Sequence, residues 1–230
     1  MAAGRGINRL LVAGGAHGLD TLLELAQRRR IRVEMFDRRE LDRRAGDHHQ
    51  GVVAEADPFA YSHLDDLLAR AEDRAEPPLL LALDSLQDPQ NFGTLLRTAQ
   101  LGGAHGVLIP EHRAVGVTPA VSNASAGAVE HLLVAQVTNL ARSLGELKSR
   151  GVWVYGLAAD AEQSYWETDL SGPMALVVGS EGTGLGRLVR ESCDALVKIP
   201  MAPGAVQSLN ASVAGSLVLY EVLRQRFVKH

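Results

Sequence analysis

The chain has 230 residues, 46% apolar and 22% charged, with a net charge of −4 and a single cysteine. That composition suits a globular protein of one or two domains, and the lone Cys193 excludes an internal disulfide or a cysteine-built zinc site. The acidic total speaks against a nucleic-acid partner only until it is divided: residues 1–50 carry ten Arg against seven acidic residues, and residues 51–230 thirteen basic against twenty acidic.

The N-terminal sixty residues read as a small α/β unit with strands at 10–13, 31–36 and 52–54 and helices at about 19–29 and 38–44. Its arginines, above all Arg28, Arg29, Arg30, Arg38 and Arg39, are the candidate phosphate-facing surface, with a solvated helix face as the equal alternative. No apolar N-terminal segment resembles a signal peptide, so the cytoplasm is the expected location. Residues 62–74 form an amphipathic helix that Ala75-Glu76-Pro77-Pro78 ends, and the domain boundary is placed there.

After Pro78 short apolar runs alternate with helices: strands at 79–83, 107–109, 132–135, 152–157, 175–178 and 196–199, helices at 89–101, 118–126, 139–149, 185–191 and 208–226. This alternation predicts a mostly parallel sheet covered on both faces, with ligands outside the carboxyl ends of its strands. Residues 202–220 hold no formal charge, but Pro203, Gly204, Gln207, Ser208, Asn210 and Gly215 interrupt them too often for a membrane span. In the last helix Ser208 is the expected N-cap, Leu209, Val213, Leu217 and Tyr220 the expected core-facing stripe, and Ala211, Ser212, Ala214 and Gly215 a small-residue face open to close packing.

Three loops at the predicted ligand edge carry the chemistry. In the first, Asp88-Pro89 starts a helix in which Gly93 and Arg97 lie one turn apart. An interior glycine costs about 1 kcal/mol relative to alanine, so Gly93 is expected to admit a close neighbour, with Arg97 beside the opening suited to a phosphate. The second, Gly179-Ser180-Glu181-Gly182-Thr183-Gly184, lacks the dinucleotide and P-loop patterns, and Glu181 favours an uncharged or cationic ligand. The third runs from Ile199-Pro200-Met201 to Ser208-Leu209-Asn210. Histidines show no metal-ligand spacing, Cys193 reads as core, and Trp153, Tyr165 and Trp166 read as packing.

Taken together the loops resemble the SpoU (TrmH-type) family of RNA ribose 2′-O-methyltransferases within the SPOUT superfamily. The matching residues are Asp88-Pro89-Gln90-Asn91-Phe92-Gly93 with Arg97-Thr98-Ala99, Gly179-Ser180-Glu181-Gly182 with Gly184-Leu185, and Ile199-Pro200-Met201 with Ser208-Leu209-Asn210. His49-Gln50-Gly51-Val52-Val53-Ala54 is similar to the junction in the subgroup that methylates a guanosine ribose of large-subunit ribosomal RNA. The resemblance implies a shortened L30-like α/β substrate-binding domain (1–60), a helical linker (61–78), and a methyltransferase domain (79–230) whose mostly parallel sheet ends in a trefoil knot. It implies S-adenosylmethionine held around Gly179, Ile199, Met201, Ser208 and Leu209. It also implies catalysis by Arg97, Asn91, Glu181, Ser208 and Asn210, a homodimer completing the site, ribosomal or transfer RNA as partner, and neither metal nor membrane.

Two features depart from the family pattern: residues 202–207 are one residue longer than usual, and the N-terminal domain looks short, as if its first strand and helix were missing. A transfer-RNA methylase and a self-resistance ribosomal methylase stay open as substrate readings. A non-catalytic SPOUT RNA binder is disfavoured by the complete set of site residues, and a dehydrogenase by the missing fingerprint. A guanidinium is effectively always protonated. The expected role of Arg97 is therefore to anchor a phosphate and stabilise the developing alkoxide rather than to take the proton.

Overall fold

The computed structural model describes residues 5–46, 49–204 and 208–228. Asp47 and His48 of the predicted turn, and Ala205, Val206 and Gln207 of the lengthened loop, lie outside the described residues. The chain divides into two units, Met1–Ala60 and Tyr61–His230.

In the first unit β1 (Ile7–Ala13), α1 (Asp20–Arg28), β2 (Arg32–Phe36), α2 (Arg38–Ala45) and β3 (Val52–Ala56) follow one another. The sheet order is β2-β1-β3, with β2 parallel and β3 antiparallel to β1. Alternate side chains of a strand point to opposite faces. Leu10 and Val12 accordingly pack with Ala26 of α1, and Leu11 and Ala13 with Leu41 of α2. The five candidate RNA-binding arginines are all exposed. Arg28, Arg29 and Arg30 precede β2 while Arg38 and Arg39 follow it, so the length of that strand, about 17 Å at 3.3 Å per residue, separates them. Other arginines are spent on ion pairs: Arg9 with Glu34 and Glu55, Arg32 with Glu34, Arg43 and Arg44 with Glu40.

The second unit begins with α3 (Leu64–Asp73), started by a capping box between His63 and Asp66. The segment expected as a helical linker is helical; its Ala71 is buried, and Leu67 and Leu68 are buried against the larger sheet. There follow β4 (Leu79–Asp84), α4 (Pro89–Leu101), β5 (Gly106–Pro110), α5 (Pro119–Ala124), a 3-10 turn (Ala128–His131), β6 (Leu133–Val137), α6 (Leu140–Ser149) and β7 (Trp153–Leu157). The chain closes through β8 (Gln163–Ser164), β9 (Met174–Gly179), α7 (Arg187–Ser192), β10 (Ala195–Lys198) and α8 (Ala211–Val228). The seven strands are all parallel, in the order β6-β5-β4-β9-β7-β10-β8. Every residue of β4 and β9 is buried, as a parallel strand covered on both faces demands. On one face Leu80, Ala82, Ala175 and Val177 meet Leu144 and Leu147 of α6 and Val189 of α7. After β10 the chain returns past β7 to lay α8 against β9 and α4. Among the described residues no helix is long and apolar enough to cross a membrane.

Two expectations about α8 are corrected, and a third, close packing on its small-residue face, is met within the chain. Asn210, not Ser208, starts the helix: its Oδ1 accepts from the backbone N–H of Ser212 (2.9 Å) and Val213 (3.2 Å), and its carbonyl from Ala214 N–H. The buried face is Ala211, Ser212, Gly215, Val218, Leu219 and Val222, whereas Leu209, Val213, Leu217 and Tyr220 are exposed. The small residues serve the chain's own packing, since a Cβ on Gly215 would lie 2.7 Å from Leu95 and 3.1 Å from Val178. Trp153 and Trp166, read as packing residues, are each about half exposed.

Candidate active site

All three chemical loops emerge at the carboxyl edge of the sheet, after β4, β9 and β10. Asp88 caps α4, its carboxylate accepting from Gln90 N–H (3.1 Å) and Asn91 N–H (3.2 Å). Residues 180–184 close into a tight hairpin by mutual backbone hydrogen bonds between Ser180 and Gly184 (3.0 and 3.2 Å). Gly179 must be glycine because a Cβ there would meet the backbone of Gly184 and Leu185. Asp84, buried at the end of β4, ties the first two loops together. Its Oδ2 accepts from Gly186 N–H (2.6 Å) and its Oδ1 from the Ser85 hydroxyl (3.1 Å).

The three loops meet in one polar triangle. Asn91 Nδ2 donates to Glu181 Oε1 (2.9 Å), Asn210 Nδ2 donates to Asn91 Oδ1 (2.9 Å), and Asn210 Nδ2 also reaches Glu181 Oε1. Asn91 is buried while Glu181 is exposed, so the two amides hold an otherwise free carboxylate at a fixed point of the surface.

Beside the triangle lies a cavity of about 660 Å³, within the range of small-ligand sites, roughly 300–1,000 Å³. Gly179, Glu181, Ile199, Met201, Ser208, Leu209 and Asn210 all line it, so the five expected cofactor residues converge here. Met201 and Leu209, each 41% exposed, offer apolar surface that a bound purine would cover. Asp160 and Arg190, which sequence reasoning missed, also line the cavity and form a two-pronged ion pair with both N···O distances 3.0 Å. S-adenosylmethionine fits this donor set. Strand-end backbone and apolar side chains suit its adenosine, and the Glu181 carboxylate suits its sulfonium charge.

Two expected residues stand apart. Gly93 does admit a close neighbour, but that neighbour is α5: a Cβ there would lie 2.8 Å from the Ala124 carbonyl carbon and the Ser125 nitrogen. Arg97 is exposed on α4 and lines neither this cavity nor the adjoining one in its own chain. It shares the outer face of α4 with Thr94 and Leu101, next to the contact with α8 marked by the Thr98–Ser216 hydroxyl pair (2.8 Å). Of the residues that sequence reasoning missed, Asp84 had a signal: a lone carboxylate ending an otherwise apolar strand. Cys193 donates to Val189 carbonyl (3.3 Å), and burial pushes its thiol up to about 11. Among the described residues no three His, Cys, Asp or Glu side chains gather as a metal site would require.

Comparison with known proteins places these features. The model of the SpoU rRNA Methylase family matches residues 78–220, and that for RNA 2′-O ribose methyltransferase substrate binding matches residues 1–62. The Bacillus subtilis protein YacO, assigned to the TrmH family of tRNA/rRNA methyltransferases, is 52% identical over 205 residues, covering 89% of this chain and 82% of its own. The 23S rRNA (guanosine-2′-O-)-methyltransferase RlmB of Pseudomonas putida is 47% identical over 214 residues, covering 92% and 85%. Among solved structures, the SpoU methyltransferase AviRb of Streptomyces viridochromogenes in complex with AdoMet matches with TM-score 0.83 and 26% identity. That match covers 98% of this chain and 85% of AviRb.

Proposed function

The chain belongs to the SpoU rRNA methylase family, and from that premise we propose its reaction and the parts its residues play. It is an S-adenosylmethionine-dependent RNA methyltransferase that modifies the 2′-hydroxyl of a guanosine ribose in 23S ribosomal RNA. The observation that carries the assignment of roles is the Asn91–Glu181–Asn210 triangle at the mouth of the 660 Å³ cavity.

Bound in that cavity, the cofactor supplies an electrophilic methyl group. Gly179, Ile199, Met201, Ser208 and Leu209 hold it, and Glu181, fixed by the two amides, orients the ribose hydroxyl. Positioning of this kind lowers a two-reactant barrier by roughly 7–11 kcal/mol. Arg97 anchors the phosphate next to the target ribose and stabilises the alkoxide, while the phosphate or water accepts the proton. Since Arg97 lines neither of the two adjoining cavities of its own chain, we assign it to the site of a second copy.

That assignment requires a homodimer, and α4 and α8 supply the surface for one. Leu101, Val213, Leu217 and Tyr220 expose apolar area on the two adjoining helices, and a patch of this kind marks an interaction site. A trefoil knot in residues 79–230, the three-part domain plan and a cytoplasmic location belong to the same reading. In the first unit, Arg28, Arg29, Arg30, Arg38 and Arg39 grip RNA as two separate clusters.

Incubating the protein with labelled S-adenosylmethionine and unmodified 23S rRNA, then analysing nuclease digests by mass spectrometry, should yield 2′-O-methylguanosine at one position. Methylation of transfer RNA in preference would overturn the substrate assignment. Arg97→Ala should abolish turnover and spare cofactor affinity. Mixing Arg97→Ala with Glu181→Ala chains should then restore activity in hybrid dimers, and a mixture as inactive as its parts would sink the shared site.

A further inference from the structure

A second cavity of about 430 Å³ adjoins the cofactor cavity and shares Ser180, Glu181 and Thr183 with it. Its far wall is formed by Ser85 and Gln87 after β4 and by Arg113 in the loop after β5. Arg113 is the one cation among its lining residues. The carboxylates around it are committed elsewhere: Asp88 to the first N–H groups of α4, Glu181 to Asn91 and Asn210. No hydrogen bond or ion pair engages the Arg113 side chain among the described residues.

The loop that carries Arg113 is held in place. Glu111 N–H donates to Val137 carbonyl (2.8 Å), Val115 N–H to Leu86 carbonyl (2.9 Å), and Val117 N–H to the Tyr61 hydroxyl (2.9 Å). Between those pins Arg113 takes φ +63°, and Ser85 across the cavity takes φ +59°, both in the left-handed region that non-glycine residues rarely occupy. Such conformations persist only where the surroundings enforce them, and they cluster at functional sites. A free guanidinium is thus presented, on backbone fixed in advance, to a polar cavity whose one shared wall faces the cofactor.

We propose that this second cavity seats the nucleotide to be methylated, and that Arg113 grips one of its two flanking phosphates. The proposal rests on the methyltransferase reading above, with Arg97 of the second copy on the other phosphate. A planar guanidinium matches two phosphate oxygens at once, and the neighbouring Ser85 and Gln87 supply short polar contacts for the ribose and base edge.

The test uses the full chain with an in vitro transcript of the target region of 23S rRNA, comparing wild type, Arg113→Ala and Arg113→Lys. Arg113→Ala should lower kcat/KM roughly 10- to 100-fold, the scale of a lost charged hydrogen bond, and leave S-adenosylmethionine affinity within about twofold. Because a phosphate contact releases counterions, the slope of log kcat/KM against log salt should become shallower by about 0.7. Arg113→Lys, keeping the charge but not the fork, should recover the slope and only part of the rate. A rate within about threefold of wild type, an unchanged salt slope, or a loss of cofactor binding would each overturn the proposal. If the wild type itself neither binds S-adenosylmethionine nor methylates the transcript, the methyltransferase reading fails instead.

Discussion

Substituting Gly93 by alanine decides whether that glycine exists for a ligand or for a helix. In a solvent-facing helix the change would stabilise by about 1 kcal/mol. Here the added Cβ lands 2.8 Å from two backbone atoms of residues 124 and 125, and against the Ala124 methyl. Ordinary carbon contacts begin at about 3.5 Å, and the Ala124 methyl is closer than either backbone atom, so the end of α5 must retreat by more than about 0.7 Å. That end is not free to move, because Ser125 Oγ donates to Ser122 carbonyl (2.8 Å) and accepts from Val129 N–H (3.4 Å). Overpacking costs roughly 1–3 kcal/mol; with three atoms met at once the upper part of that range, about 2–3 kcal/mol, applies, which leaves a net loss of about 1–2 kcal/mol after the propensity gain. In a unit of this size that lowers Tm by roughly 2–8 °C. Urea titration and a thermal melt read the loss, while calorimetric titration with S-adenosylmethionine at about 20 °C, roughly 25–45 °C below typical mesophile melting points, should give an unchanged affinity. A variant as stable as wild type, or more so, that has lost RNA methylation would refute the packing argument and return Gly93 to the ligand.

Asn210→Ala should be less stable than Asn210→Ser by about 1 kcal/mol, the worth of a cap oxygen, although both lose the amide that holds Glu181 and both should weaken catalysis. Equal urea midpoints would show that Asn210 does not cap α8. Buried His105 accepts from Leu79 N–H through Nδ1 (3.0 Å) and lies 3.0 Å from Glu76 through Nε2, and burial lowers its pKa against the opposing pull of Glu76. A depressed imidazole contributes stability that is complete above about pH 6.5 and is lost as pH falls toward the folded value. His105→Gln should therefore flatten the acid side of the stability profile relative to wild type, and parallel profiles would contradict this. The Cys193 thiol, raised to about 11 chiefly by burial, should ignore a disulfide reagent at about pH 8 in the native protein and react on unfolding; prompt native reaction would count against it.

Local chemistry made some elements plain in the sequence and left others hidden. α4 runs from Pro89 to Leu101 as expected because Asp88-Pro89 starts it and Gly102-Gly103 cannot continue it. β4 and β9 were legible as unbroken apolar runs between turn residues. The start of α8 was not, since Ser208, Asn210 and Ser212 are all good caps and only three-dimensional reach singles out Asn210. Nor was the phase of that helix, because apolar residues surround it and periodicity cannot choose between a face of Val218 and Leu219 and one of Val213 and Leu217. The two-residue β8, Gln163–Ser164, has no apolar signal at all and exists by pairing with β10. Arg113 is a single arginine in a polar turn, and only the pinned backbone around it sets it apart. The motif residues of the three loops were found by their pattern, yet no pattern disclosed that Arg97 lines neither adjoining cavity of its own chain.

With every strand of the seven-stranded sheet running the same way, the polar turns that do the chemistry gather at one rim, and the turns of the opposite rim carry none of it. Gly172, just before β9, has nothing within 4 Å of where a side chain would begin. A cysteine placed there becomes a tether for a dye or a surface, and the unreactive native thiol leaves it as the sole attachment point. The enzyme can then be watched or immobilised on RNA without a hand laid on the pocket.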